Sequence, residues 1–584
     1  MSKKSKTKLE LTWIGKDKRP KLEPRILLED SSKSYHASHK VSENDIFDNK
    51  LIRGDNLLAL KALQQEYGGC IKCVYIDPPF NTGEAFEHYD DGLEHSLWLS
   101  LMYDRLLEIH KLISNDGSIF VHIDDNEIAY LMVMLDEIFG RSNRVSIVTF
   151  KQGAVTGHKS INPGLVTTTN YLLVYAKDKS HWKPNRLFTS RERDSRYSQF
   201  IVNYEDDYAK WEYIPLNQAF GDKLGISSRQ VKKALGKEYE EKITDFVIEN
   251  AERVIRTARP DYNSVGQAVR DSIDLSKDNP KKVILLERDK HSDMYFKNGE
   301  RLLFYKDKLK VVDGQVVSGE PLSNLWDDLL SNNLHKEGGI KFPKGKKPEA
   351  LIKRVLDLAT YPGEIVLDSF AGSGTTAAVA HKMQRRWVTI ELGNHCDTHV
   401  IPRLKKVIEG DDQDGISKSV NWQGGGGFRY YKLAPSLLEQ DRWGRWVISK
   451  DYDSGMLAEA ICKLEGFSYS PSDTEWWNHG YSTEQDRIYV TTQTLSVEQL
   501  LALSEEVGED RTLLVCCSAF RCKSDRFTNL TLKKIPKMVL SRCEWGHDDY
   551  SLNVENLPMK EEPKEDVPAI QKQAGLFDDE STLS

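Results

Sequence analysis

Apolar and polar positions follow two rhythms along this chain, and the change of rhythm marks out its parts. From residue 50, "KLIR" reads as a short strand halted at Gly54, and "NLLALKAL" from about Asn56 carries apolar residues at helical spacing. Then come "IKCVYID" (strand), "SLWLSLMYDRLLEIHKLI" (helix), "GSIFVHID" (strand), "NEIAYLMVMLDEIFG" (helix) and "NYLLVYAK" (strand). Strands alternating with helices of this length predict a parallel, doubly wound α/β sheet. Between about residues 178 and 320 the rhythm fails, and aromatic and charged residues mix without a period. It resumes in "KPEALIKRVLDLAT" (helix), "EIVLDSF" (strand), "AGSGTTAAVAHKM" (turn and helix) and "RRWVTIEL" (strand).

The pattern divides the chain into an N-terminal arm (1–45), one α/β domain in two pieces (46–177 and 321–435), and an insertion between them (178–320). A C-terminal α+β module (436–555) and an acidic, proline-containing tail (556–584) complete it. With 584 residues, the chain is too long for one core. No apolar run reaches membrane-spanning length, and the lysine-rich start has no signal-peptide character. Eight irregularly placed cysteines suit a reducing compartment, so a cytoplasmic location without a membrane partner is expected. Cys70 and Cys73 form a lone C-x-x-C, and Cys516, Cys517, Cys522 and Cys543 lack zinc spacing, so no metal site is expected. The net charge of −8 does not announce a nucleic-acid partner, but local basic stretches count for more than the sum.

Two stretches carry chemistry. "VYIDPPFNTG" leaves an apolar strand through one acid, two prolines and an aromatic ring. Proline stiffens the backbone here, and open α/β sheets place their ligands at strand carboxyl ends. Asp77, Pro78, Pro79 and Phe80 therefore read as a rigid jaw with one carboxylate, fixed carbonyls and a flat apolar face. "VLDSFAGSGTT" is a strand, a glycine turn and a helix start, and Glu391 ends the next strand where a carboxylate can meet ribose hydroxyls. By itself this turn would equally suit a dinucleotide, which leaves an NAD-dependent oxidoreductase as a rival. It is not a phosphate-cradling P-loop, because Thr375 and Thr376 stand where that motif needs Lys and Ser/Thr.

The pair of motifs resembles the amino-methylating DNA methyltransferases that use S-adenosylmethionine, in the permuted order usually called beta. With "GDNLLALKAL", "GSIFVHIDDNE", "KGKKPEALIKRVL" and "GGGGFRYYKL", the chain resembles the modification subunits of type III restriction-modification systems. The family's D-P-P-Y is DPPF here, which keeps the stacking face and loses a hydroxyl. The resemblance implies a permuted Rossmann-like methyltransferase sheet with an inserted target-recognition domain, acting on adenine N6 of a flipped-out base. Cytosine N4 methylation and a non-catalytic DNA-binding homologue are the alternatives.

The resemblance also implies roles for single residues. Asp77 and the Pro78 carbonyl would accept the amine hydrogens and Phe80 would stack on the base. Phe370, Ala371, Gly372, Ser373, Gly374 and Thr375 would surround the cofactor's methionine part, with Asp368 bracing them and Glu391 on the ribose. Asp55 either reaches the cofactor's adenine or caps a helix. Lys347 either meets the methionine carboxylate or is a solvated helix-start lysine. In the insertion, Arg186, Arg191, Arg193 and Arg196 either grip double-stranded DNA or are surface charges. The implied partners are a second copy of the chain and a helicase-nuclease restriction subunit. Gln573, Leu576 and Phe577 in the tail form Q-x-x-L-F, which resembles the peptide that docks on the bacterial sliding clamp.

Overall fold

The computed structural model describes residues 10–80, 91–153, 164–289, 291–312, 314–329, 334, 337–340, 342, 346–523 and 526–551. The tail with Gln573, Leu576 and Phe577 lies outside the described residues.

Eleven strands form one large mixed sheet. In chain order they are β1 (Leu27–Glu29), β2 (Tyr35–His36), β3 (Asn49–Arg53), β4 (Ile71–Ile76), β5 (Ile113–Ile123), β6 (Arg144–Lys151) and β7 (Thr169–Ala176). The last four are β8 (Leu325–Trp326), β9 (Ile365–Asp368), β10 (Arg386–Glu391) and β11 (Gly427–Leu433). Their spatial order is β1-β11-β3-β10-β9-β4-β5-β7-β6-β8, with β2 beside β11. From β11 to β5 neighbouring strands run parallel.

The expected parallel sheet needs correction at both sides: at one edge β1 and β2 run antiparallel to β11, and the other edge departs further. There β7 runs antiparallel to both β5 and β6. An apolar run such as "NYLLVYA" reads the same in either direction, so its sense was not legible. The strand β6 was missed altogether.

Helices cover both faces. On one lie α1 (Asn56–Tyr67), α2 (Asp91–Leu112) and α3 (Ile128–Leu135). On the other lie α4 (Glu349–Ala359), α5 (Thr375–Lys382) and α6 (Ile401–Glu409). Period-two alternation feeds both cores from one strand. In β4, Cys73 and Tyr75 join the α4–α6 side while Val74 and Ile76 join the α1–α3 side. Each such fully buried side chain stabilises the sheet by about 1.5–3 kcal/mol.

Residues 188–321 build two sheets of their own, one of six strands and one including Phe188–Ser190 and Gln315–Pro321, before β8 rejoins the large sheet. Beyond β11 the chain forms a five-stranded sheet with helices Ser454–Glu465 and Val497–Val507. Its last described stretch returns to the large sheet: Arg25 pairs with Asp548 at 2.7 Å, and the Tyr550 amide donates to Asp55 Oδ2 at 3.0 Å. Among the described residues no helix is long and apolar enough to cross a membrane, and no group of three His, Cys, Asp or Glu could hold a metal ion.

Candidate active site

The register of two neighbouring strands builds the site. In the β4–β9 pair, Cys73 faces Val366 and Val74 faces Leu367. Both strands run the same way, so the jaw after β4 and the glycine turn after β9 leave the sheet side by side. The end of β10 adds Glu391, and the end of β3 adds Asp55 and Asn56.

Asp77 leads the jaw. Its Oδ2 pairs with Lys347 Nζ at 2.5 Å, while its Oδ1 is buried with no hydrogen-bond partner among the described residues. Burial raises its carboxyl above the usual range, and Lys347 opposes that shift. The Pro79 carbonyl accepts from Trp98 Nε1 at 2.8 Å, which fixes the direction of the proline pair, and Pro78 is buried. The half-buried Phe80 ring lies 5.7 Å from the His122 ring and 4.9 Å from Lys347 Nζ. His122 is held from both ends, by the Tyr75 hydroxyl at Nδ1 (2.9 Å) and Asn170 Nδ2 at Nε2 (3.1 Å). Burial, with Lys347 adding, pushes its pKa well below normal, so the ring is neutral.

The glycine turn is braced by acids. Asp368 accepts the Phe370 amide at 2.9 Å, and burial first, with Asp77 and Glu391 adding, pushes its carboxyl up to about 7. Glu391 accepts the amides of Gly372 (2.8 Å) and Gly393 (2.9 Å) and pairs with His395 at 3.0 Å. The Ala371 amide goes to the Ile390 carbonyl and the Gly374 amide to the Ala371 carbonyl. Gly372 and Gly374 have φ of +51° and +73°, a region that favours glycine. A Cβ on Gly372 would meet no atom nearer than 3.9 Å, whereas one on Gly374 would lie 2.9 Å from Val400 Cγ1. The open side of the turn is therefore at Gly372.

Behind the turn lies a charged cluster that the sequence did not announce. Arg403 donates to the Ser373 carbonyl (3.2 Å) and Thr375 Oγ1 (2.7 Å), and pairs with Glu349 at 2.7 Å. Lys382 pairs with Glu349 and Asp412, both at 2.8 Å, and none of these side chains is more than 1% exposed. The available signal was a charge on the apolar face of a helix, as Arg403 beside Leu404 in "IPRLKKVIE". Trp98, His122 and Asn170 were also missed.

Among the two-way readings, Asp55 is a helix cap. Its Oδ1 accepts the Leu58 amide (3.1 Å), and its Oδ2 is taken by Arg105 (3.1 Å) and the Tyr550 amide. Asn56 beside it reaches the turn, donating to the Ser369 carbonyl at 2.8 Å. Lys347 is not solvated; it belongs to the jaw. The four arginines stand apart from this site, in the insertion. Arg186 lies 5.4 Å from the Phe188 ring, Arg191 is 3.7 Å from Glu320, Arg193 is 3.4 Å from Glu240, and Arg196 is doubly bonded to Asp194.

A stiff jaw with a free carboxylate oxygen thus stands beside an open glycine turn on adjacent parallel strands of an α/β sheet. A family model described as a DNA methylase matches residues 71–399, and the chain belongs to that family of N6 and N4 methyltransferases. It is 36% identical over 480 residues to the probable type III restriction-modification enzyme HindVI Mod subunit of Haemophilus influenzae, covering 78% of this chain and 63% of that protein. It is 30% identical to the StyLTI Mod subunit of Salmonella typhimurium over 58% of this chain and 50% of that one. It is 25% identical to the EcoP15I Mod subunit of Escherichia coli over 87% and 85%. The chain thus spans less than two thirds of the first two relatives' length.

Proposed function

We propose that the protein is a site-specific DNA methyltransferase that uses S-adenosylmethionine to methylate adenine N6. The observation that carries this reading is the unpartnered Oδ1 of Asp77, set beside the glycine turn by the β4–β9 register. The aryl amine of a base is a poor nucleophile because its lone pair is conjugated into the ring. Asp77 Oδ1 and the Pro78 carbonyl each accept one N–H, which lets the nitrogen approach tetrahedral geometry and frees the lone pair. Phe80 stacks on the base, which must leave the duplex to arrive there. The amine's proton passes to water, so Asp77 acts as an oriented acceptor, and the rate gain comes from placement and hydrogen bonding.

The turn fits a cationic cofactor better than a dinucleotide. The amides of Phe370, Ala371, Gly372 and Gly374 are all spent within the chain, which leaves the turn fewer donors for a pyrophosphate. Asp77, Asp368 and Glu391 surround it with carboxylates, which favour a sulfonium and repel phosphate. When bound, S-adenosylmethionine supplies an electrophilic methyl group. Phe370–Thr375 would line its methionine part, and Glu391, whose oxygens retain lone pairs, would meet its ribose.

On this reading the sheet is the permuted Rossmann-like form, residues 178–320 recognise the target, and Arg186, Arg191, Arg193 and Arg196 contact DNA, the last three by exchanging their carboxylate partners for phosphates. The relatives' names support a modification subunit of a type III system, and on this reading it works in the cytoplasm as a homodimer with a restriction subunit. The tail residues Gln573, Leu576 and Phe577 would tether it to a sliding clamp, which a peptide carrying Leu576→Ala and Phe577→Ala tests against the native peptide. Light scattering of the chain alone and on DNA reads the dimer.

Transfer of tritiated methyl into DNA, followed by nucleoside analysis, tests the function. N6-methyladenine is expected. N4-methylcytosine would change the base, and label absent from DNA would defeat the reading.

A further inference from the structure

Among the described residues, Lys347 touches both working groups of the jaw, 2.5 Å from Asp77 Oδ2 and 4.9 Å from the centre of the Phe80 ring. It sits just before Pro348, which caps α4 in an extended conformation, and only 9% of its side chain is exposed. The residue before a proline is itself confined to extended backbone, so the ammonium is delivered from a stiff stalk. We propose that Lys347 is a positioning residue for methyl transfer, holding the Asp77 carboxylate and the Phe80 ring in their working places rather than binding the cofactor. This role rests on the methyltransferase reading above.

The physical case begins with the division of labour on Asp77. Lys347 occupies Oδ2, so the carboxylate cannot rotate freely, and Oδ1 is the oxygen left for an amine. The charged and titratable groups facing Asp77 are Lys347, Asp368 and the Tyr75 hydroxyl, and Lys347 in turn faces His122. Tyr75 is held protonated by burial and His122 is neutral, so neither offsets the two acids. Lys347 is the cation that does. Without it, burial and the neighbouring Asp368 both favour protonated Asp77, and a protonated acid can donate its O–H to the amine nitrogen and tie up the lone pair that must attack. The ammonium over the Phe80 face also anchors that ring by attraction to its π face. A cofactor carboxylate at Lys347 would have to compete with Asp77 for the same ammonium.

The test compares Lys347→Met, Lys347→Gln and Lys347→Arg with wild type in single-turnover methyl transfer across the neutral pH range, at saturating cofactor. Asp77 works as a carboxylate, which exists above its pKa, so losing Lys347 moves the acid limb of the profile to higher pH. The expected result is a loss of roughly tenfold or more at neutral pH in the Met and Gln variants, regained on the alkaline side. Lys347→Arg should keep the wild-type limb, and calorimetry should find cofactor affinity unchanged in all three. A second reading needs no cofactor. In the free protein Lys347→Met lowers the melting midpoint above the Asp77 pKa, and adding Asp77→Asn restores it by removing the orphaned charge.

Cofactor affinity that falls in the Met variant with an unmoved pH limb would overturn the proposal and return Lys347 to the methionine carboxylate. A Met variant too unstable to assay leaves Gln to read the limb, and an unmoved limb there also overturns it. Absence of transfer by wild type itself defeats the functional reading, and this role with it. Transfer by wild type with an unmoved limb defeats this role alone.

Discussion

The Glu391 carboxylate accepts the Gly372 amide at 2.8 Å, so the acid that ends β10 holds the turn that follows β9. A second amide, from Gly393, and the His395 ring fill the rest of its inner surface. Glu391 is therefore a buckle between two strand ends before any ligand arrives. Glu391→Ala should weaken S-adenosylmethionine by about 10–100-fold, the equivalent of the roughly 1.5–3 kcal/mol of a charge-assisted hydrogen bond. DNA affinity should stay unchanged. Calorimetry with each ligand checks both halves, and equal cofactor affinity in the variant would remove Glu391 from the site.

Asp77→Ala should cut methyl transfer by a factor on the order of 10²–10³, the usual cost of deleting one oriented polar group at the reacting centre. Cofactor binding should survive, because on the proposed reading Asp77 faces the amine rather than the cofactor. Near-normal incorporation of tritiated methyl would refute the role.

Gly374→Val should destabilise the fold as well as the turn. At φ +73° a side chain costs about 1–2 kcal/mol from the left-handed backbone alone, and the new Cβ would lie 2.9 Å from Val400 Cγ1. Gly372→Ala carries the backbone cost without that contact, so it should melt closer to wild type. Thermal midpoints of the two variants decide it, and equal losses would disprove the distinction.

Arg403→Met should cost about 3–5 kcal/mol, the range seen when one member of a buried ion network is removed. Glu349 would keep Lys382, but the Ser373 carbonyl and the Thr375 hydroxyl would lose their shared donor. Urea denaturation measures the loss. A change under 1 kcal/mol would mean that water replaces the guanidinium.

His395 titrates upward because it donates to Glu391, so its folded pKa lies above the unfolded value near 6.5. Its contribution is therefore complete below the unfolded pKa and is lost as pH rises through the folded value. Between wild type and His395→Phe, the difference in melting midpoint should shrink as pH rises from acid to alkaline. A constant difference would show that the ring acts by packing alone.

Much of the sheet was legible because burial on two faces writes strong periods. The strand read at residues 50–53 is β3 at Asn49–Arg53, and the helix read from Asn56 begins there. Strand direction was not legible, since the alternation of "NYLLVYA" is the same in both senses. The jaw and the glycine turn could be read locally because proline and glycine carry backbone instructions in themselves. The Lys347–Asp77 pair could not, because nothing near either residue names a partner that the β4–β9 pairing supplies from the far end of the chain. Asp55 shows the same limit. Its cap is local and was foreseen as one of two readings, but the Tyr550 amide on its other oxygen comes from beyond the C-terminal sheet.

The pairing of β4 with β9, and the lodging of β3 between β10 and β11, have a meaning for the living cell. A ribosome makes the jaw early and then the whole insertion before the strand that must lie beside it. Until Leu433 has emerged, β3 has only its β10 edge to hold, and before β10 it has neither. A chain cut short by a nonsense codon, a frameshift or a stalled ribosome would carry Asp77 with no turn to face it, and would be inert. On the proposed reading, this order of assembly means that a chain ending before β9 holds the jaw without the turn and writes no methyl mark.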